Sequence, residues 1–201
     1  QVDPTFPRML WRMSTPYGQT SFHVTDKALD DTLSYTRGLA VVMPEGRRMV
    51  ALYSKDTQAC FPEAFAPEAV PQGLPIANAA DTGERNARNS YFWDLAQAAQ
   101  LSTTNLSQLN AQDYRLARTR HWLLVNHPKP VSTTSSWEQA PSADGQCEGG
   151  ILWYGHDDKP SISGRGSSSL PNLVARVMPD GTTWYKWLER NALGHPTNIP
   201  E

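Results

Sequence analysis

The stretch LAVVMPEGRRMVALYSK, residues 39–55, contains the clearest structural signal in the chain. Apolar residues flank Pro-Glu-Gly at 44–46, and such a turn reverses the chain because proline fixes φ while glycine accepts a positive φ. The stretch VARVMPDGTTWYKWL, residues 174–188, has the same design around Pro-Asp-Gly at 179–181. The similarity ends at the turn, so we interpret the two stretches as independent β-hairpins and not as a duplication.

Short periodic segments on either side of these hairpins predict the rest of the fold. Segments of strand character lie at 8–14, 20–25, 121–126 and 151–154. Segments of helical character, most of them preceded by a residue that can cap a helix, lie at 26–36, 89–99, 106–109 and 110–120. Gly38 stands where a glycine commonly ends a helix. We therefore predict an α+β fold: a single domain over 1–201, with a mostly antiparallel sheet, two Met-Pro-acid-Gly hairpins and two or three short helices in the middle of the chain.

Several stretches are predicted to lie outside regular structure. Residues 56–89 are rich in Pro, Ala, Gln and Asn and are too long for an ordinary connection, so we expect a surface excursion there. Residues 129–149 and 155–170 are polar and rich in serine and glycine, which predicts loops. We expect the C-terminal segment 191–201 to be held loosely.

The composition excludes a polybasic nucleic-acid-binding protein. Only 19% of the 201 residues are charged, the formal net charge is −2 and the isoelectric point is near 6.2, whereas nucleic-acid binding depends on clustered lysine and arginine. No apolar run approaches the roughly 18 residues that cross a bilayer, so no membrane span is predicted. The expected partner is a protein. No cofactor and no metal site are predicted, and the sequence leaves the oligomeric state open.

The two cysteines bear on the compartment. Cys60 and Cys147 predict one disulfide, which would place the protein outside a reducing cytoplasm; two buried thiols are the alternative. Residue 1 is Gln and not Met, as after removal of an export signal or after trimming of the terminus. The composition also indicates a compartment outside the cytoplasm, because the chain has little Lys and Glu and much Ser, Thr, Asn, Gln and Pro. We therefore predict a periplasmic or secreted protein.

Histidine is the residue type best suited to acid–base catalysis near neutral pH. His156 is followed by Asp157, and an imidazole beside carboxylates could bind a divalent cation or activate a water, although the same residues suit a solvated turn. Arg165 lies in the Ser/Gly-rich segment 161–169, whose backbone N–H groups could bind an anion, although a flexible loop has the same composition. With His23, these residues form the candidate catalytic set.

A series near the N-terminus combines a His-x-Thr triplet with later leucines and a Gly-Leu pair. Its members are His23, Thr25, Leu29, Leu33, Gly38 and Leu39. This series resembles the opening motif of some ADP-ribosyltransferases. The resemblance implies that His23 belongs to an ADP-ribosyl-transfer site, but it assigns no tyrosine or glutamate partner. A strand followed by a capped helix accounts for the same residues.

Aromatic residues close to the C-terminus indicate a different kind of site. Alternate side chains of a strand face opposite sides, so Tyr185 and Trp187 share one face while Trp184 and Lys186 share the other. Unless another layer covers one face, aromatic rings are then exposed, as is typical of protein or carbohydrate contacts.

Two main hypotheses follow for the function. The first is surface recognition of a protein partner, at or beyond the cell envelope, through the aromatic residues of 184–187. The second is an exported enzyme or toxin-like effector, of hydrolase or ADP-ribosyl-transfer type, with a histidine-centred site. A structural subunit of an envelope assembly is a third class, which would require residues 56–89 to order against a neighbouring molecule.

Overall fold

The computed structural model describes residues 8–24, 36–54, 71, 87–125, 131–161, 163–178, 180 and 182–197. Ten strands there form one antiparallel sheet, in which they lie side by side in chain order. They are β1 (Arg8–Thr15), β2 (Gly18–Val24), β3 (Thr36–Val42), β4 (Arg48–Ser54), β5 (Asn89–Trp93), β6 (Arg118–Leu124), β7 (Val131–Gln139), β8 (Ile151–Gly155), β9 (Leu173–Val177) and β10 (Thr183–Trp187). No helix in the described part of the chain is long and apolar enough to cross a membrane.

Both predicted hairpins are confirmed. β3 pairs with β4 and β9 pairs with β10, each in antiparallel register. In the first turn Gly46 has φ +82° and its N–H donates to the carbonyl oxygen of Met43 at 2.9 Å. In the second, the N–H of Met178 donates to the carbonyl oxygen of Thr182 at 2.8 Å, while Pro179 and Gly181 lie outside the described residues.

The predicted α+β class is wrong, because the described fold is nearly all β. Its helices are α1 (Leu95–Ala98), α2 (Ala111–Arg115) and a single 3₁₀ turn at Leu106–Gln108. The first half of the predicted helix at 89–99 is β5, whose residues alternate between buried and less buried positions, and the helix is confined to α1. A short, largely aromatic run fits either periodicity, and its β propensity prevails here.

Three further local predictions differ from the structure. The helix predicted over 110–120 ends at Arg115, and β6 begins at Arg118. The predicted polar loop at 129–149 contains β7, in which polar side chains such as Thr134 are buried. Gly38 ends no helix: it lies within β3, buried and opposite Leu52. The predicted helix at 26–36 and the excursion at 56–89 lie almost wholly outside the described residues.

The chain divides into two compact units. The first comprises Gln1–Pro62, Asn86–Thr119 and Ala140–Gly149, and the second comprises Glu63–Arg85, Arg120–Gln139 and Gly150–Glu201. A single domain over 1–201 stays a prediction.

The core of the first unit packs the inward side chains of β3, β4 and β5 against α1, α2 and the residues around them. Its members are Ala40, Val50, Leu52, Tyr91, Trp93, Ala98, Leu106, Leu109, Tyr114, Leu116 and Ala117. The indole Nε1 of Trp93 donates to the carbonyl oxygen of Asp113 at 2.9 Å, which satisfies the one polar group of that fully buried ring.

The second unit has buried residues of its own, and two large tryptophan rings are among them. Trp137 and Trp153 are buried on the neighbouring strands β7 and β8, and His121 stacks on Trp137 with ring centroids 5.5 Å apart and an interplanar angle of 3°. Burial along β7 changes from even-numbered to odd-numbered positions between Thr134 and Trp137. One extra residue, as in a β-bulge, accounts for this change.

Candidate functional site

The strongest candidate surface is β10, the last strand of the sheet. β10 pairs with β9 in the register Trp184↔Arg176, Tyr185↔Ala175 and Lys186↔Val174, and among the described residues no strand pairs with its outer edge. The backbone N–H and C=O groups of an edge strand are a template on which another chain can add a strand.

The pairing with β9 defines the two faces of β10. Residues directly opposite each other in an antiparallel pair lie on the same face of the sheet. Tyr185 lies opposite Ala175 and Trp187 opposite Leu173, and both partners are buried. Tyr185 and Trp187 are therefore on the core face at its margin. Trp184 is on the outer face.

All three aromatic side chains of β10 are about half exposed. The exposed fractions are 50% for Trp184, 52% for Tyr185 and 45% for Trp187. From the sequence, rings are expected to be exposed on one face unless another layer covers it, and the structure shows exposed rings on both faces. The position of β10 contributes to this, because in the described sheet no further strand lies beyond it to supply neighbouring side chains on that side. That these rings bind a partner stays a prediction.

The outer face around Trp184 is basic. Arg176 lies directly opposite Trp184 and is exposed, and Lys186 follows two residues later on the same face. Asp180, in the turn between the two strands, accepts hydrogen bonds from the backbone N–H (2.9 Å) and Oγ1 (2.6 Å) of Thr182. These two bonds stabilise the charged carboxylate, which lowers the pKa of Asp180, and they also hold the turn.

A cleft of about 960 Å³ opens beside the end of β10. Its lining combines apolar with polar side chains: Asp157, Leu170, Asn172, Trp187, Glu189 and Asn191. The sequence singles out Asp157 and Trp187 but misses the others. One sequence feature could have pointed to this lining. Asn191 is a residue type that favours turns, and it indicates an ordered turn in the C-terminal segment that we expect to be held loosely.

The segment after β10 is in fact fixed by hydrogen bonds. Arg190 donates to the carbonyl oxygen of Pro171 from Nε (3.2 Å) and Nη2 (3.0 Å), and to that of Gly194 from Nη1 (2.8 Å). The N–H of Thr197 donates to the carbonyl oxygen of Glu189 at 2.9 Å. The expectation of a loosely held C-terminal segment is therefore wrong as far as residue 197.

His156 is buried just beyond the end of β8. Its Nε2–H donates to the carbonyl oxygen of Ser135 at 3.0 Å, and because a carbonyl only accepts, this bond fixes the tautomer. Burial lowers the pKa of His156 below its ordinary value; the bond to Ser135 opposes that shift, and the charge of Lys159 adds to it. Burial also lowers the pKa of Lys159. The imidazole is thus held neutral near neutral pH.

The four candidate catalytic residues do not form one cluster in the described contacts. His23 belongs to the first unit, where it is buried and its Nε2 lies 2.8 Å from the Oγ of Ser21. The other three belong to the second unit. There the carboxylate of Asp157 accepts a hydrogen bond from the Nδ2 of Asn172. Their catalytic role stays a prediction.

The Ser/Gly-rich loop around Arg165 is held through its backbone. The N–H of Arg165 donates to the carbonyl oxygen of Leu124 at 2.8 Å, and the N–H of Ser167 donates to that of Asp157 at 3.1 Å. The N–H of Gly164 bonds to Ser161. These three donors are engaged within the protein and do not face an anion, whereas the side chain of Arg165 is exposed.

The predicted disulfide is wrong, because Cys147 is an exposed free thiol. Cys60 lies outside the described residues. Within the described ranges, no three His, Cys, Asp or Glu side chains come together as a metal site.

Comparisons with known proteins return no match to this chain among family models, curated proteins or solved structures. The functional argument therefore rests on the chain's own geometry.

Proposed function

We propose that the protein acts by recognition of a partner protein, binding an extended, acidic segment of that partner along the outer edge of β10. The observation that carries the proposal is the half-exposed aromatic side chain at each of positions 184, 185 and 187 of a strand with one unpaired edge in the described sheet. The second candidate, a histidine-centred enzyme, stays a prediction.

The edge of β10 supports an extended ligand. When a peptide adds a strand to a sheet, main-chain hydrogen bonds supply affinity and the contacts of alternating side chains supply specificity. Trp184 on the outer face and Tyr185 on the core face would contact alternate side chains of the added strand. Tyrosine and tryptophan offer a large contact area with few rotatable bonds, which is why they dominate the binding energy of many interfaces.

The charge around Trp184 supports an acidic ligand. Arg176 and Lys186 place two positive charges on the outer face. No carboxylate lies directly opposite either residue, because Arg176 faces Trp184 and Lys186 faces Val174 across the strand pair. Opposite charges on a partner accelerate association and favour the right partner over others.

Action at or beyond the cell envelope remains part of the proposal on composition alone. The disulfide that favoured this location is excluded by the free thiol of Cys147.

Selection of peptides from a random display library, with the immobilised protein as bait, tests the proposal. We expect enrichment of peptides that combine acidic and apolar residues. For a selected peptide, Trp184→Ala and Tyr185→Ala should each weaken binding about thirtyfold, the equivalent of about 2 kcal/mol at a central interface residue. Fluorescence anisotropy with labelled peptide measures the affinities.

The matched control is Trp11→Ala. Trp11 lies on β1, the first strand of the sheet, and is 56% exposed, so its removal tests for general adhesion to exposed indoles. We expect Trp11→Ala to bind the selected peptide as the wild type does. Failure to enrich any acidic peptide, or equal losses for Trp11→Ala and Trp184→Ala, would contradict the proposal.

A further inference from the structure

The cleft beside β10 has the size of a small-molecule site, and hydrogen bonds hold one of its walls. Its volume of about 960 Å³ lies within the usual range for ligand pockets, roughly 300–1,000 Å³. One wall is Trp187 at the end of β10, and another is the segment 188–197. Arg190 ties that segment to Pro171 and Gly194 with three hydrogen bonds.

Asn191 stabilises the wall formed by segment 188–197 through hydrogen bonds within that segment. Its Oδ1 accepts hydrogen bonds from the backbone N–H groups of Leu193 and His195, each at 3.0 Å. Gly194 has φ +80°, and its Cα lies close to the side chain of Leu170, another residue of the lining: a Cβ there would lie 2.7 Å from the Cδ1 of Leu170. A cleft that is already ordered loses little conformational entropy when it binds a ligand.

Several polar groups of the lining have no protein partner within the described ranges. Asn172 bonds to one oxygen of Asp157, its Oδ1, which leaves Oδ2 as an acceptor. Among the described residues, neither the carboxylate of Glu189 nor the Nδ2 of Asn191 has a hydrogen-bond or ion-pair partner. The cleft thus offers acceptors and a donor to a ligand that can both donate and accept, as hydroxyl groups do.

The charges of the lining favour a neutral ligand over an anion. Asp157 and Glu189 repel an anion, and the guanidinium of Arg190, the one cation among the described residues of the lining, already donates to the carbonyl oxygens of Pro171 and Gly194. The indole of Trp187 provides an apolar surface that remains about half exposed. A ring with an apolar C–H face and hydroxyl groups around its rim matches both features.

We propose that this cleft binds a neutral saccharide, with one sugar ring stacked on Trp187 and its hydroxyl groups bonded to Asp157, Glu189 and Asn191. Trp187 is on the core face of β10, whereas Trp184 is on the outer face. Trp187 thus belongs to both proposed sites, whereas Trp184 belongs to the peptide-binding surface alone and Asp157 to the cleft alone. Trp184→Ala and Asp157→Asn therefore test the two sites separately.

Binding to an array of neutral saccharides tests this inference, with glucose, galactose, mannose and N-acetylglucosamine and their short oligomers as probes. Isothermal titration calorimetry then gives the affinity for the best of them. We expect Trp187→Ala and Asp157→Asn each to weaken binding about tenfold or more, and Trp187→Phe to retain most of it because the apolar ring surface remains. Circular dichroism checks that each variant is folded.

Trp11→Ala is again the matched control, and we expect it to bind the saccharide as the wild type does. Absence of binding to every neutral probe would overturn the inference. Preference for glucuronic acid over glucose would overturn the charge argument, and undiminished binding by both Trp187→Ala and Asp157→Asn would overturn the assignment of the cleft. If the protein selects acidic peptides but binds no saccharide, the proposed function stands and this inference is overturned. If it binds a saccharide but selects no peptide, the proposed function is contradicted and this inference stands.

Discussion

Arg190 donates two hydrogen bonds, of 3.2 and 3.0 Å, to the carbonyl oxygen of Pro171. A third bond from the same guanidinium reaches the carbonyl oxygen of Gly194. One side chain thereby connects the residues before β9 to the residues after β10. The aromatic edge strand ends at Trp187, shortly before Arg190, and Arg190 and Gly194 both line the cleft.

Replacement of Arg190 tests how far this connection stabilises the second unit. We expect Arg190→Ala to lower the free energy of unfolding by about 2 kcal/mol, because it removes hydrogen bonds from a charged donor to buried or half-buried carbonyls. Urea denaturation measures the change. Arg165→Ala, which removes an exposed guanidinium, should change stability by less than about 0.5 kcal/mol; an equal effect of the two variants would contradict a structural role for Arg190.

Asp113 is a second buried connection, in the first unit. It is 2% exposed, and its carboxylate accepts hydrogen bonds from the N–H (2.8 Å) and Oγ (2.6 Å) of Ser102 and from the N–H of Asn110 (3.0 Å). We expect Asp113→Ala to cost about 3 kcal/mol, because it leaves these donors without an acceptor.

The matched control for this variant is Asp94→Ala. Asp94 caps α1 through hydrogen bonds from the N–H groups of Ala96 and Gln97, and loss of such a cap costs about 1 kcal/mol. Equal destabilisation by Asp94→Ala and Asp113→Ala in urea denaturation would show that the Ser102 contacts add nothing.

His156 should make stability depend on pH. Burial lowers its pKa in the folded protein below the ordinary 6.5 that applies to the unfolded chain. The unfolded state therefore binds the proton more tightly, so stability is complete above 6.5 and falls as the pH drops through 6.5 towards the lower folded value.

Urea midpoints between about pH 7.5 and about pH 5 measure this effect. We expect His156→Gln, which keeps an N–H donor for Ser135, to lose less stability over this interval than the wild type does. If the wild type and the variant lose the same amount of stability over this interval, groups other than His156 cause the acid sensitivity.

Cys147 should react as a free thiol. Because it is exposed, we expect iodoacetamide to label it in the native protein without prior reduction. Peptide mass spectrometry locates the label, and Cys147→Ser supplies the unlabelled control. Labelling of Cys147 only after reduction would show that it is oxidised in the native protein.

Local chemistry explains which elements the sequence predicts correctly. The two hairpins follow from Pro-acid-Gly turns, whose backbone angles are set by three adjacent residues. The start of the helix predicted at 110 is likewise local, because the capping box of α2 joins Asn110 and Asp113, three positions apart. β7 is missed because its interior positions include serine and threonine, which resemble a loop until their neighbours in the sheet are known.

The candidate site shows the same limit. Exposure of β10 can be predicted from the alternation of Trp184, Tyr185 and Trp187. The cleft cannot be predicted, because Asn172 and Arg190 reach it through hydrogen bonds to Asp157 and to the Pro171 carbonyl, and these pairs are distant in sequence. No periodicity or motif records such contacts.

Hydrogen–deuterium exchange of the protein with and without a selected acidic peptide tests the central proposal most directly. We expect slower exchange of backbone amides across Thr183–Trp187, because an added strand would bond to the outward-facing groups of β10. Unchanged exchange across Thr183–Trp187, with slower exchange in another part of the chain such as the opposite edge strand β1, would contradict the proposal.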